Sequence, residues 1–212
     1  MATVSSCTAR NHDIAVKTAT FGRRDGMRAP PIIQIVSHQM PVIPCNLPIE
    51  TALDQSLLEH AYFTDSYRVP LTHSNASVVD IFFAIFGHHP AWLKAILLAR
   101  HRVGGWFGLN AAATSEILAP ARASSYRIGD NIGPWPVFHL GDVELIAGRD
   151  DKHLDFRLSV LKQGSDEAML VTVSTVCRTH NWFGRLYLFV IVPFHRWGVQ
   201  RLMARAVQAG RL

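Results

Sequence analysis

The stretch His153–His180 reads HLDFRLSVLKQGSDEAMLVTVSTVCRTH, and it decides the fold. Both of its halves alternate between apolar and polar side chains, which is the period of a β-strand with one buried face. The turn-forming segment Gly164–Glu167 separates the halves, so the stretch predicts an antiparallel pair of strands. A long helix is predicted next, over Trp182–Ala209, and Pro193 is expected to kink it or break it in two.

More strands and helices are predicted upstream of this pair. IGPWPVFHLG and VELIAG lie directly before it and read as two further antiparallel strands. Earlier still, Tyr62–Leu71 alternates like a strand, and two helices follow it, one stopped by Gly87 and one opened by Pro90. IETALDQSLLEHA predicts a short helix before that strand.

This order predicts an α+β fold in which a curved antiparallel sheet packs on the long C-terminal helix, with two helices after the first strand. A sheet with one apolar face needs a cover, and the last helix is the long element left to provide it. We expect residues 1–45 to be a partly irregular N-terminal extension and residues 46–212 to form a single domain, with room for a cavity between sheet and helix.

Composition and charge limit the classes of function. The 212 residues are 49% hydrophobic and 17% charged, which fits a globular domain with a substantial core. Three widely spaced cysteines form no disulfide framework, so a cytoplasmic location is expected, and no apolar run is long enough for a transmembrane segment. Residues 181–212 carry five arginines and no acid. This basic helix is either a solvated face or a surface for a partner, and no nucleic acid is expected because aromatic and basic residues do not interleave.

Six stretches carry a resemblance to a known family: DSYRVPL, HPAWLKAILLARHRV, IGPWPVF, DDKHLDFRLSV, VCRTHNWFGRLY and VPFHRW. On these, the region from Tyr62 to Arg205 resembles the bacterial family labelled domain of unknown function 2867. Separately, the order of elements is similar to the helix-grip fold of START domains and polyketide cyclases, the SRPBCC-like class. The family has no established function, so the resemblance implies a fold and supplies little chemistry.

A polar stripe is predicted on one face of the strand pair. Period two places Asp155 and Arg157 on the same face of one strand, and Arg178 and His180 on the same face of the next. On a solvent face these side chains would form cross-strand ion pairs. On a concave face they would be buried and would need a partner or a ligand.

Acid–base catalysis has three candidates, His153, Asp155 and His180, because close carboxylates and histidines can exchange protons near neutral pH. The turn Asp150–Asp151 beside His153 has a simpler interpretation, since aspartate is a common turn residue. The sequence contains neither GxSxG nor a P-loop, and no histidine pair has helical metal-ligand spacing. Neither a metal nor a cofactor is therefore expected.

Aromatic and polar residues on the strands and the last helix form the candidate ligand-binding set. They are Trp135, Phe156, Arg157, Arg178, His180, Tyr187, Phe194 and His195. Such residues either fill a core or line an apolar pocket, and an arginine fork would suit a carboxylate or phosphate. We expect an apolar or amphipathic small molecule as the ligand. The alternatives are a cyclase or dehydratase in the same cavity, or a protein- or membrane-surface module using the basic helix, and a homo-oligomer stays open.

Overall fold

The computed structural model describes residues 42–88, 123, 125–165 and 168–212. Their helices and strands are, in chain order, β1 (Ile43–Pro44), α1 (Gln55–Glu59), β2 (Phe63–Pro70), α2 (Val78–Phe86), β3 (Asn131–Ile132), β4 (Trp135–Leu140), β5 (Glu144–Asp150), β6 (Leu154–Ser165), β7 (Ala168–Thr179) and the C-terminal helix (Trp182–Gln208).

The strands form one seven-stranded antiparallel sheet in the order β1-β2-β7-β6-β5-β4-β3. Its centre is the hairpin of β6 and β7, which are twelve residues each and pair from Leu154 opposite Thr179 to Ser165 opposite Ala168. Gly164 has a φ of +111° near the end of this hairpin, a conformation that glycine adopts without a steric penalty. The predicted curved antiparallel sheet and long terminal helix are confirmed.

The sheet has two covered faces, and we call the one under the C-terminal helix the inner face. Tyr67, Val173 and Val160 lie side by side across β2, β7 and β6 on this face. Buried side chains from α2 and from the second half of the C-terminal helix pack in the same core: Ile81, Phe82, Ile85, Val199, Leu202, Met203 and Ala206. Each large side chain buried here contributes about 1.5–3 kcal/mol relative to exposure.

The opposite face, which we call the outer face, is covered by the segment around α1. Leu53 and Leu57 pack there with Ile146 and Val176 in a second buried cluster. The carboxylate of Asp54 accepts a hydrogen bond from the backbone N–H of Leu57 at 3.1 Å and caps α1. The predicted short helix is therefore present.

The strand predicted over Tyr62–Leu71 is present as β2, and the helix predicted after it is present as α2. Ser77 and Asp80 form a capping box at the start of α2, and Gly87 is its C-cap. The second predicted helix, opened by Pro90, lies outside the described residues, as do residues 1–41 of the predicted extension. β1 pairs with β2 from Ile43, so the sheet already begins within the segment expected to be an extension.

The C-terminal helix starts at Asn181, whose side-chain oxygen accepts a hydrogen bond from the N–H of Gly184 at 3.0 Å. It continues through Pro193 as one helix of 27 residues, so the predicted alternative of a break is wrong. Proline leaves the carbonyl of Phe189 without its helical donor. Both Phe189 and Pro193 are exposed, so water can donate to that carbonyl. No helix among the described residues is long and apolar enough to cross a membrane.

Close contact with the sheet fixes the start of this helix. Gly184 is buried, and a Cβ at this position would overlap the backbone carbonyl oxygen of His153. At the other end, Leu202 and Met203 lie in the inner core. The helix is therefore held at both ends over the inner face.

Candidate functional site

Three residues of the predicted polar stripe meet on the outer face. Oδ2 of Asp155 accepts hydrogen bonds from Nε and Nη2 of Arg178 at 3.2 and 2.6 Å, and Oδ1 lies 2.9 Å from Nε2 of His180. Burial alone would raise the pKa of Asp155, but the hydrogen bonds and charges of His180 and Arg178 outweigh it and hold that pKa below its ordinary value. Asp155 is thus charged, and both of its carboxylate oxygens have a partner. This is the cross-strand ion pairing that the sequence offered as one of two alternatives for the polar stripe.

Arg157 does not join this group. Its Nη1 lies 2.6 Å from Oδ1 of Asp150, and its guanidinium carbon lies 3.5 Å from the centre of the Phe138 ring. The Asp150 side chain is 57% exposed, so the ion pair is worth less than about 1 kcal/mol. Both candidate arginines, Arg157 and Arg178, are therefore already paired with carboxylates of this chain.

His153 lies apart from the Asp155 group, at the start of the C-terminal helix. Its Nδ1 is 3.0 Å from the side-chain nitrogen and 3.3 Å from the side-chain oxygen of Asn181, and its ring centre is 4.6 Å from that of Phe183. With Lys152 and Trp182 these residues border an open surface depression of about 420 Å³. Binding pockets enclose most of a ligand's surface, which an open depression does not do.

Trp135 and Phe156 lie together on the inner face. Their ring centroids are 5.6 Å apart with the planes at 73°, and Trp135 also meets Phe82 and Phe86 of α2 edge-on at 6.2 and 6.4 Å. Edge-to-face contacts at these distances are ordinary aromatic packing. Both residues are half-buried, so part of each ring stays available.

The three candidates on the C-terminal helix point in different directions. Phe194 is exposed, Tyr187 is half-buried, and His195 turns inward to Asp65 of β2. The eight predicted ligand-binding residues therefore do not form one pocket. The arginines and His180 lie on the outer face, whereas Trp135, Phe156 and His195 lie on the inner side.

Four polar residues lie together under the C-terminal helix. The sequence did not predict that they form a group. We call Asp65, Tyr67, Thr175 and His195 the inner polar cluster. Asp65 lies directly opposite Thr175 in the pairing of β2 and β7. Nε2 of His195 is 3.4 Å from Oδ1 of Asp65, and the two side chains are 22% and 9% exposed.

Four buried polar atoms of this cluster lack a well-formed hydrogen bond to any described residue. They are both carboxylate oxygens of Asp65, the hydroxyl oxygen of Thr175 and Nε2 of His195. The His195–Asp65 contact is therefore a close polar contact whose atoms fall outside hydrogen-bond geometry. Leaving such a group unsatisfied in the interior costs about 1–3 kcal/mol.

Glu144 shows how the same fold treats a structural carboxylate. It is buried on the outer face, and its oxygens accept hydrogen bonds from the hydroxyls of Thr51 and Ser159 at 2.6 and 2.5 Å and from the N–H of Ala52 at 2.6 Å. Asp155 likewise has two partners. Asp65 differs from both because the donor beside it, the Tyr67 hydroxyl, lies outside hydrogen-bond geometry.

The charge of Asp65 affects its neighbours on the inner face. Burial, the charge of Asp65 and the interaction of the Tyr67 hydroxyl, as a donor, with that carboxylate raise the pKa of Tyr67, with smaller opposing effects from Gln200 and Arg196. Burial and the same carboxylate raise the pKa of Cys177 to about 12. The inner polar cluster is thus a buried, negative environment that favours a donor or a cation and disfavours an anion.

Space is available beside the helix near this cluster. Gly198 lies one turn after His195 and is buried. A Cβ built on Gly198 would meet no atom within 4 Å beyond its chain neighbours and the helix backbone. Phe63 stands edge-on to His195, with ring centroids 5.9 Å apart, and gives this region an apolar side.

The sequence did contain a signal for Asp65. In YFTDSYRVP, period two places Asp65 on the same face as Phe63, Tyr67 and Val69, so a carboxylate interrupts an otherwise apolar face. The predicted acid–base residues Asp155 and His180 belong to the polar stripe, which lies on the outer face instead.

The described residues include no group of three histidine, cysteine or acidic side chains that could hold a metal ion. In the comparisons, a family model described as protein of unknown function (DUF2867) matches residues 57–202, from α1 to the second half of the C-terminal helix. No curated protein and no solved structure matches the chain.

Proposed function

The chain belongs to the DUF2867 family of proteins of unknown function, and from its inner polar cluster we propose that it binds an amphipathic small molecule beneath the C-terminal helix. The observation that carries the proposal is Asp65, a buried carboxylate whose neighbours Tyr67 and His195 both fall short of hydrogen-bond geometry. Buried polar groups nearly always have a partner in folded proteins, so groups without one call for a ligand, an ion or water.

The cluster sets the chemistry of the ligand's polar end. A charged carboxylate only accepts hydrogen bonds, so the ligand must donate to Asp65 from a hydroxyl or an ammonium group. The hydroxyl of Thr175 can accept or donate in the same space. An anionic head group would be repelled by Asp65, and the arginines once expected to hold it, Arg157 and Arg178, are already paired.

The apolar part of the ligand has a surface beside the cluster. Phe63, Cys177 and Phe156 form one row across β2, β7 and β6, next to the row that holds Asp65 and Thr175. Trp135 extends this row through its contact with Phe156. A hydrocarbon chain lying on the row would keep its donor group at Asp65.

Three probes with the same chain and different head groups test the proposal. We expect octylamine and octanol to raise the melting temperature of the protein and to titrate in calorimetry, and octanoate to do neither. Asp65→Asn should remove the preference for the amine, whereas Asp150→Asn, an exposed carboxylate on the outer face, should keep it. Equal binding of octanoate and octylamine, or unchanged amine binding in Asp65→Asn, would contradict the proposal.

Acid–base catalysis is the second candidate, favoured by the buried contact between His195 and Asp65. A histidine next to a carboxylate can move a proton to or from a bound hydroxyl, as a dehydratase or a cyclase requires. Loss of water from hydroxy ketone substrates, followed by mass spectrometry, tests this. Turnover that His195→Gln abolishes while octylamine still binds would establish an enzyme, and binding without turnover by the wild type would leave a binding protein.

A further inference from the structure

The outward face of the first half of the C-terminal helix is apolar. Its exposed large side chains are Trp182 (73%), Leu186 (50%), Phe189 (79%), Val190 (52%), Phe194 (57%) and Trp197 (48%). At 3.6 residues per turn, Trp182, Leu186, Phe189 and Trp197 fall within about 80° of the helix circumference over a length of about 24 Å. We call this the apolar stripe. Contiguous exposed apolar surface of this kind marks an interaction site.

Arginines border the apolar stripe on both sides. Helical spacing places Arg185 and Arg196 along one edge and Arg201 and Arg205 along the other, and all four are exposed. Residues 181–212 contain no acidic residue. The guanidinium of Arg185 lies 5.7 Å from the centre of the ring of Tyr62, an exposed residue directly before β2 that widens the surface.

We propose that the apolar stripe and its arginines dock on the surface of an anionic lipid bilayer, with the helix lying in the plane of the interface. Tryptophan and phenylalanine partition into the interfacial region, and arginines beside them attract anionic head groups. The helix lies on the bilayer and does not cross it, in keeping with its length and apolarity.

Charge argues against a second copy of this chain as the occupant. Two copies packed through the stripe would bring arginines toward arginines, and the helix supplies no carboxylate to compensate them. Like charges placed close together at an interface oppose association. An anionic bilayer supplies the missing negative charge on every side of the stripe.

This surface and the inner polar cluster lie on different sides of the same helix. His195 faces Asp65, and Gly198 is buried, whereas Trp182 and Phe189 face outward. Lipid binding therefore does not depend on the proposed ligand site, and either activity can be lost while the other remains.

Flotation of the full chain with vesicles tests the inference. We expect binding to phosphatidylcholine vesicles containing phosphatidylserine and little binding to pure phosphatidylcholine, with a decrease at high salt. Trp182→Ser combined with Phe189→Ser should lower the partition coefficient about tenfold. Arg201→Gln and Arg205→Gln should each lower it about fivefold.

Matched control variants change exposed residues away from the helix. Ile49→Ser and Ile128→Ser remove exposed apolar side chains, and Arg127→Gln removes an exposed arginine. They should bind as the wild type does, and circular dichroism should show that every variant is folded. Equal binding to neutral vesicles, no binding to anionic ones, or a double variant that loses only self-association in sedimentation would overturn the inference.

Discussion

Nε2 of His195 on the C-terminal helix lies 3.4 Å from Oδ1 of Asp65 in β2, so helix and sheet meet at a buried polar contact. An apolar pair would pack this interface at lower cost, because burying a carboxylate without aligned donors is unfavourable. The same helix does use apolar packing further on, at Leu202 and Met203. The polar contact is therefore costly for stability, and the ligand site that we propose would account for it.

Thr175→Val should raise the free energy of unfolding by about 1 kcal/mol and weaken octylamine binding, because the buried hydroxyl it removes has no aligned partner. Thr172→Val is the matched control. Thr172 is equally buried, but its hydroxyl donates to the side chain of Gln163 at 2.9 Å. The free energy of unfolding of Thr172→Val, measured by urea denaturation, should be about 1 kcal/mol lower than that of the wild type. Equal losses in both variants would mean that Thr175 has a structural hydrogen bond.

Gly184→Ala and Gly198→Ala should have opposite effects on stability. A methyl group on Gly184 overlaps the carbonyl of His153, so the free energy of unfolding should fall by about 1–3 kcal/mol. A methyl group on Gly198 meets open space and favours the helix, so stability should rise by about 0.5–1 kcal/mol. Thermal denaturation measures both. Destabilisation by Gly198→Ala would show that the space beside it is filled.

Asp155→Asn should reduce stability by about 1–3 kcal/mol at neutral pH, because it removes the charged acceptor of Arg178 and His180. The pKa of Asp155 is lower in the folded state, so its contribution is present above the unfolded pKa of about 3.9 and is lost as pH falls through the folded pKa. The difference between wild type and variant should therefore shrink below about pH 4.

Urea denaturation from pH 7 to pH 2 measures this difference. Asp150→Asn is the control, because its exposed ion pair with Arg157 should contribute less than about 1 kcal/mol at any pH. A difference between wild type and Asp155→Asn that stays constant down to pH 2 would show that Asp155 does not titrate as described.

Cys177 should react with thiol reagents only when the protein unfolds. Its pKa is raised to about 12 by burial and by Asp65, and the thiolate is the reactive form. In a chain with Cys7→Ser and Cys45→Ser, labelling at pH 8 should be slow and should accelerate with denaturant. Asp65→Asn should increase labelling of the folded protein, whereas Asp150→Asn should not. Rapid labelling without denaturant would place Cys177 in contact with solvent.

The alternation of apolar and polar side chains in β6 and β7 was sufficient to predict the sheet. Successive side chains of a strand point to opposite faces however the strands are arranged in space. The same alternation correctly placed Asp155 and Arg178 on one face of the sheet. In the register of β6 and β7 these two residues lie opposite each other. What sequence could not supply was the side of the sheet that the C-terminal helix covers. That side depends on packing between Met203 and residues far away in the sequence, such as Val69.

The inner polar cluster was not predicted from the sequence for a related reason. Asp65 and Thr175 meet because β2 pairs with β7, and His195 joins them because the helix crosses β2. None of the three lies near another in sequence. A search for one carboxylate on an otherwise apolar strand face would have found Asp65, whereas a search for local charge found the turn at Asp150.

The two ends of the C-terminal helix are fixed, one by Gly184 against the carbonyl of His153 and the other by Leu202 and Met203 in the core. Pro193 lies between them and removes a backbone hydrogen bond, which lowers the bending stiffness of the helix there. Bending about Pro193 would therefore move His195 relative to Asp65 while both ends stay in place. The ligand that we propose would then exchange by local bending of the helix, without unfolding of the domain.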